Sequence, residues 1–593
     1  MNNLNFLVDV LKDSPVFKTL EKNVKPGRTV CASGLSTINK SNIIYALCRP
    51  KGVTAFCLAS DEKEAQTLCN DLSCMGLRAY VYPVRDFNFL DFQSRSHEYE
   101  HARLKVLLKL INHECDVAIA CVDAAAQLTV PRNVLEQSVI EFEEGRELSL
   151  EKATKALTLL GYERFDAVEG SGQFSLRGGI LDFFMPDSDY PVRCEFWGDE
   201  ITDLSYFDIE TQRRFKKADK ITLSPSTEIV IEDRAALADK IEHKAKLLRS
   251  KNSAKAKEKL FSEAELIRSG AMIANADKFI NQIYDKPESL FDYLDRNTLV
   301  FASEFTAIQE RGKSMDFISN ETLMQGFEDG TLCRGFDRFA LTFNECTEFL
   351  QSHGTIVLEN FVHGSMPLKL SEIISFSTKQ LSAWGGSYKQ LKEDVDGLFT
   401  PESKGVIFAG TERAAKNLCD TFNADGINAV YSEGADKISK GELLVMQGAL
   451  SAGFEYPSQK FFAITYSQVS YRPEKSKKKK KKTGQEIYSL SELAPGDYVV
   501  HNVHGIGVFG GIRKIDTHGV IKDYIKIDYA KGDVLYVPVT QLDMVAKYIG
   551  PKEDSRVKLN RLGSGDWQKA KARVKTSVKD IAKELIELYS QRS

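Results

Sequence analysis

The stretch "GLSTINKS", residues 34 to 41, carries the residue types of a phosphate-binding loop with one piece altered. A working loop reads Gly, four residues, then Gly-Lys-Ser/Thr. Its backbone amides cradle phosphate, its Lys reaches the terminal phosphates and its hydroxyl joins the magnesium shell. Gly34, Lys40 and Ser41 stand at that spacing, but Asn39 replaces the second Gly and puts a side chain where backbone must approach phosphate. The second half of such a site is an apolar strand ending in Asp-Glu, the Asp holding Mg2+ and the Glu orienting the attacking water. The nearest match is "TLVFASEF", with Leu299 to Ala302 as the strand, Ser303 at the Asp position and Glu304 at the Glu position. A neutral hydroxyl does not replace a carboxylate in holding magnesium. Both halves are recognisable and both are disabled, so the expectation is a nucleotide-binding fold reduced to scaffold, with no ATP hydrolysis and no cofactor. The competing reading is that each half is an ordinary strand end.

Other chemistry is sparse. The 11 cysteines include no CxxC pair and sit mostly in apolar runs, which fits reduced buried thiols in a cytoplasmic protein better than a disulfide framework. The nine histidines suggest no metal site; His501 and His504 lie in what reads as a turn. A net charge of −4 gives no overall bias towards nucleic acid, so any polyanion contact must be local. The first residues have no basic flank or long apolar run, and no stretch reaches the ~20 apolar residues of a membrane span.

With 593 residues, 42% of them hydrophobic and 27% charged, several globular domains are expected. Up to about residue 140, short β-rich runs alternate with helical patterns, predicting an α/β domain with a largely parallel sheet. Near residue 160 the texture changes to strands joined by turns, "QFSLRGGILDFFMP" and "PVRCEFWGDEITDLSYFD", a β-rich domain inserted over 141–229. Lys- and Ala-rich helices and a return to α/β texture follow over 230–375, and a further α/β domain over 376–470. The 471–488 linker holds the run Lys475 and Lys477 to Lys482, which repels itself and offers phosphate attraction without sequence specificity. Residues 489–552 are short strands broken by Gly and Asp, predicting a small barrel. The last segment, 553–593, has apolar Val574, Val578, Ile581, Leu585 and Leu588 at helical spacing and no Gly or Pro stop, as a helix cut between domains would read.

Two segments carry a family resemblance. "GSGQFSLRGGILDFFMPDSDYPVRCEFWGDEITDLSYFDIETQRR", residues 170 to 214, closely resembles the β-rich domain shared by the excision-repair helicase UvrB and the transcription-repair coupling factors. "PGDYVVHNVHGIGVFGGI" through "YVPVTQL" resembles the RNA-polymerase-interacting, CarD/Tudor-like domain of the same coupling factors. The order of segments is that of the N-terminal half of that family. The resemblance implies a multidomain α/β fold: a UvrB-like degenerate P-loop domain with an inserted β-rich domain, a further α/β domain and the small barrel. It also implies an adaptor that binds the β subunit of stalled RNA polymerase and recruits UvrA for nucleotide excision repair.

The family's UvrA-binding arginines and aromatic fall on Arg177, Arg193 and Trp197, and its polymerase contact on Ile515, with Ile512 and Lys514 beside it. Arg offers planar donors to a carboxylate, and an adjacent aromatic is a typical interface anchor. The bland reading is that Arg193 and Trp197, four apart and so on one face of a strand, cover the domain's own core. Two departures matter. The region between "YVYP" and "HARLKVLLKL" is too short for UvrB's strand-separating hairpin, despite Phe87, Phe89 and Phe92. The family's motor, with its ATP, its Mg2+ and most of its DNA contact, has no counterpart here, leaving only weak DNA contact through the lysine run. The alternatives are an ATP-dependent UvrB-type helicase and a CarD-like transcription regulator.

Overall fold

The computed structural model describes residues 4–85, 97–137, 140–209, 211–248, 254–270, 276–361, 366–385, 387–466, 484–486, 495–501, 504–517, 520–538, 545–548, 559 and 561. These fall into two compact units, Met1–Tyr471 and Arg472–Ser593.

The first unit is built on a seven-stranded sheet in the order Glu372–Ser375, Val30–Ser33, Thr355–Leu358, Leu299–Ser303, Ala55–Ala59, Val117–Cys121 and Ala79–Tyr82. Every adjacent pair is parallel. Central strands such as "VCAS" and "AFCLA" are buried on both faces, which is why they read as apolar runs without alternation. Separate apolar clusters cover the two faces, one containing Ile43, Leu68 and Phe301, the other Leu104, Phe291 and Cys346. Helix starts follow local chemistry: Asp61 accepts the Glu64 amide at the head of Glu62–Cys74, and Thr342 with Glu345 forms a capping box.

Between the fourth and fifth of these strands in chain order, a largely antiparallel excursion breaks away. Its ends are tied by the pairing of Ile140–Glu143 with Lys220–Leu223. Within it runs a sheet in the order Arg214–Lys217, Glu200–Phe207, Val192–Trp197, Ile180–Phe183, Gln173–Arg177 and Glu163–Arg164. Alternation gives it one apolar face, with Leu181, Cys194 and Leu204 in the core, and one polar face. Two helices, Arg234–Leu247 and Ala254–Arg268, pack on each other around Leu237, Ile241, Leu260 and Ile267. A third sheet, Lys379–Leu381, Gly453–Tyr456, Phe461–Thr465, Lys404–Phe408, Glu442–Met446 and Ala429–Tyr431, completes the unit.

The joint between the excursion and the main sheet is a buried ion network. Arg103 Nε donates to Glu228 at 2.7 Å and Arg85 to Asp277 at 2.9 Å, with Glu100 3.3 Å from Arg85. Removing one partner from such a network costs far more than the network adds, because the remaining charge stays desolvated.

The second unit is a six-stranded antiparallel sheet, Gly484–Glu486, Val545–Tyr548, Tyr498–His501, Gly505–Thr517, Val520–Asp528 and Val534–Pro538. Here the expected barrel is corrected: among the described residues the first and last strands each pair with one neighbour, and the sheet is open. Closure needs two edges with free ladders of matching length, and the first strand here has three residues. No helix among the described residues is long and apolar enough to cross a membrane.

Candidate docking surfaces and a closed phosphate loop

The Gly34 loop follows the strand Val30–Ser33, and where "KSNIIYALC" reads as a helix from Lys40 the helix begins at Thr37. The Lys40 amide already donates to Ser36, and the Gly34 and Leu35 amides donate to the Asn360 and Glu359 carbonyls at 3.2 and 3.1 Å. Three of the loop amides are therefore spent on the protein itself. Gly34 has φ +79°, and a Cβ there would stand 2.2 Å from the Phe376 carbonyl oxygen, so chain packs where a ligand would enter. Asn39 is fully buried and accepts from Ser36 Oγ at 2.6 Å. Ser41 is fully buried too, within 3.4 Å of Asp71, whose carboxylate also takes the Ser451 amide and hydroxyl at 2.7 Å.

Lys40 is joined to the second half of the motif. Its ammonium donates to Ser303 Oγ at 2.9 Å, Glu304 at 2.6 Å and Glu64 at 3.3 Å, and its side chain is 2% exposed. Burial raises the Glu64 carboxyl, but the Lys40 charge and hydrogen bonds from Ser303 and Ser60 outweigh it and hold it below its usual value. Glu359 goes the other way. Burial, and after it the neighbouring Glu304 charge, push it up to about 7 against the Phe305 amide that donates to it at 2.8 Å. The lysine that should meet phosphate is neutralised in place.

A pH dependence follows. A carboxyl raised from 4.5 to about 7 in the folded chain adds stability below pH 4.5, and that contribution is lost as pH rises through 7. At ~1.4 kcal/mol per unit the loss reaches up to about 3 kcal/mol. Glu359→Gln keeps the acceptor for Phe305 and cannot ionise. Denaturant unfolding of this variant should show a flatter profile between pH 5 and 8 and higher stability at pH 8; an unchanged slope would assign the dependence to other groups.

The polar face of the inserted sheet holds the predicted arginines and tryptophan. Ser175, Asp182, Arg193 and Ser205 lie directly opposite one another across four strands, and so do Arg177, Ile180, Glu195 and Asp203. Arg177 and Arg193 converge on one carboxylate, Asp182, at 2.6 and 2.7 Å. Arg193 is further bound to the Gln212 carbonyl and side chain at 3.0 Å and lies 4.3 Å over the Phe207 ring, which leaves it 12% exposed. Arg177 makes the single contact to Asp182 and is half-exposed. Trp197, 82% exposed, covers no core. Its strand runs against the tight "RGG" turn that follows Arg177: the Phe196 amide donates to the Gly179 carbonyl, Gly178 has φ +63°, and a Cβ on Gly179 would come within 2.7 Å of the Phe196 carbonyl oxygen. Arg214 pairs with Glu195 and Asp203 on the same face.

In the second unit, Ile512 and Ile515 lie on the strand Gly505–Thr517, in register with Ile525 and Lys522. Gly505 to Val508 pair with Tyr498–His501, and Phe509 exchanges backbone hydrogen bonds with Gly496 and Asp497, so among the described residues the stretch beyond Phe509 has a strand partner on one side alone. That is an open edge of the kind that accepts another strand. Ile512 is 45% exposed. The side chains of Lys514 and Ile515, the Lys475–Lys482 run, Phe87, Phe89, Phe92 and the apolar positions from Val574 to Leu588 lie outside the described residues.

Sequence reasoning passed over Asp182, Gln212, Glu64 and Glu359, whose partners are distant or one strand away. It also passed over "HEYEH". His97 and His101 stand four apart at the start of Glu98–Ile111, their rings stacked at 5.9 Å beside a cavity of about 470 Å³. His97 Nδ1 is 2.9 Å from Glu100, and no three His, Cys, Asp or Glu side chains among the described residues converge as a metal set.

Residues 140–229 match the model of the UvrB interaction domain, and residues 493–549 that of the CarD-like/TRCF RID domain. Curated relatives extend the likeness. One is the transcription-repair-coupling factor of Bacillus subtilis strain 168, 30% identical over 98% of this chain and 50% of the relative. Those of Staphylococcus haemolyticus strain JCSC1435 and Staphylococcus aureus strain USA300 are 29% and 25% identical, over 86% and 99% of this chain and 44% and 51% of theirs.

Proposed function

We infer, from a chain that belongs to the transcription-repair-coupling-factor family and spans about half the length of the curated relatives it matches, that its role is to adapt one machine to another. In this reading the second unit holds stalled RNA polymerase by adding the open edge beyond Phe509 to a strand of the β subunit, with Ile512, Lys514 and Ile515 at the contact. The inserted domain, 141–229, recruits UvrA through the face bearing Arg177, Arg193 and Trp197. The observation that carries the reading is that face: a half-exposed arginine and an almost fully exposed tryptophan on the polar side of a folded sheet, in a segment matching the UvrB interaction domain. A tryptophan 82% exposed adds little to the fold, and tryptophan and arginine on one face are the side chains that most often anchor an interface.

The remaining assignments follow the same reading. Residues 1–140 and 230–375 form the UvrB-like body that presents the insert, 376–470 the further α/β domain, 471–488 the linker, 489–552 the CarD-like module and 553–593 the lead towards a translocase. The chain itself does not hydrolyse ATP, because Lys40 is held by Glu64 and Glu304 and the Gly34, Leu35 and Lys40 amides are already bonded to the protein. ATP-driven translocation would belong to the half of the relatives that this chain does not span. The same closed loop weighs against a UvrB-type helicase, and the UvrB-interaction segment weighs against a pure CarD-like regulator.

The test is a bridging experiment. The chain, immobilised RNA polymerase β subunit and free UvrA are combined at physiological salt; UvrA should be retained only when the chain is present. Retention of the chain on polymerase without UvrA would favour the transcription-regulator reading. DNA-stimulated ATP hydrolysis by the purified chain would favour the helicase.

A further inference from the structure

The two arginines of the docking face are not equivalent. Asp182 is 1% exposed and stands directly across from Arg193, which grips it with two donors, Nε to Oδ1 at 2.7 Å and Nη2 to Oδ2 at 2.9 Å. Arg193 uses its remaining reach on Gln212, through Nη1 to the carbonyl and Nη2 to the side-chain oxygen, both at 3.0 Å, and lies flat over Phe207. Four of its donor contacts are therefore spent within the domain. Arg177 spends one, Nη2 to Oδ2 of Asp182 at 2.6 Å, and its other donors face outward from a side chain 49% exposed.

We propose that Asp182 is a positioning residue for partner recognition: anchored by Arg193, it holds the Arg177 guanidinium at a fixed angle on the face that bears Trp197, so that Arg177 alone reads a carboxylate of the partner. The inference rests on the docking reading above and divides its labour. A planar fork held at one corner keeps its free edge pre-organised for a bidentate carboxylate, so less side-chain freedom is lost on binding. The neighbouring acids do not compete for that edge, since Glu195 and Asp203 pair with Arg214 and Asp203 also faces Lys217. Arg193 then acts as a strut and not as a reader, its charge balanced where it stands. The partner site that fits is an acidic side chain next to an apolar recess for the indole.

The experiment is a double-mutant cycle on UvrA affinity, read by biolayer interferometry, with thermal unfolding of each variant as a second readout. Asp182→Asn keeps the shape but removes the charge and leaves one acceptor oxygen for the three donors of Arg193 and Arg177, so the grip on the Arg177 guanidinium loosens. It should weaken UvrA binding about tenfold, chiefly through faster dissociation. In an Arg177→Ala background the same change should alter affinity less than twofold, because residues that act through one another couple. In a Trp197→Ala background it should keep its full effect. An equal loss in the Arg177→Ala background, tracking a drop in melting temperature, would assign Asp182 a purely structural role and overturn the proposal. So would undiminished binding by Asp182→Asn while Trp197→Ala abolishes it, an outcome that leaves the docking reading intact. Failure of the unmutated chain to bind UvrA would sink the reading and the proposal together.

Discussion

Lys40→Met should unfold more easily than the parent by about 3 to 5 kcal/mol at pH 7, while nucleotide changes nothing in either protein. In a working phosphate loop the same substitution removes catalysis, and the lysine, waiting for phosphate, contributes little to the fold. Here Lys40 is 2% exposed and compensates Glu64 and Glu304 at 3.3 and 2.6 Å, with Ser303 filling the remaining donor site. Methionine matches its length and supplies no charge. Glu64 and Glu304, 10% and 27% exposed, both lose their counter-charge, and breaking a largely buried pair costs about 3 to 5 kcal/mol. The penalty should shrink at pH 5, where the carboxyls can take up protons. Guanidinium unfolding followed at both pH values checks this, reading the transition of the first unit because the two units need not unfold together. A Lys40→Met chain as stable as the parent, or a parent stabilised by millimolar MgATP, would restore the nucleotide-site reading.

Trp197→Ala should cost at least thirtyfold in UvrA affinity and leave the melting temperature within a degree. The indole is 82% exposed on the polar face of its sheet, so truncating it removes almost nothing from the core of Leu181, Cys194 and Leu204. An aromatic anchor at the centre of an interface is worth about 2 kcal/mol or more, which is close to thirtyfold. Surface-immobilised UvrA titrated with each chain measures it. A melting temperature that falls together with affinity would place the tryptophan in the fold and not in the interface.

Much of this protein was legible before any coordinates. Gly34, Lys40 and Ser41 mark a strand-to-helix turn because loop, charge and hydroxyl are local requirements. The missing Gly at Asn39 and the Ser303 substitution announced that the requirements were no longer met. Strands such as "VCAS" and "LVFAS" read as buried because parallel strands covered on both faces need continuous apolar side chains. The "RGG" turn and the alternation of "VRCEFW" put Arg193 and Trp197 on one face, as a period of two demands.

The early start of the helix at Thr37 was not legible. The run "KSNIIYALC" reads as a helix from Lys40, but the neighbouring segments at Glu359, Asn360 and Phe376 fill the loop and the helix extends back to Thr37. Nor was the open sheet of the second unit, since short Gly-broken strands look alike whether or not their edges meet.

The sequence by itself determined which elements form, which faces are apolar and which family of machines the chain resembles, because backbone preference and side-chain periodicity are local. Only the tertiary structure decided what the charged residues do. Lys40 meets Glu304 across 264 positions of chain, and Arg193 meets Asp182 from the next strand and Gln212 from 19 residues away. A lysine is a ligand for phosphate or a buried counter-ion according to which carboxylates the crossovers bring within 3 Å, and an arginine is a reader or a strut according to how many of its donors are already spent. Desolvation and geometry settle those roles, and both exist only once the chain has folded.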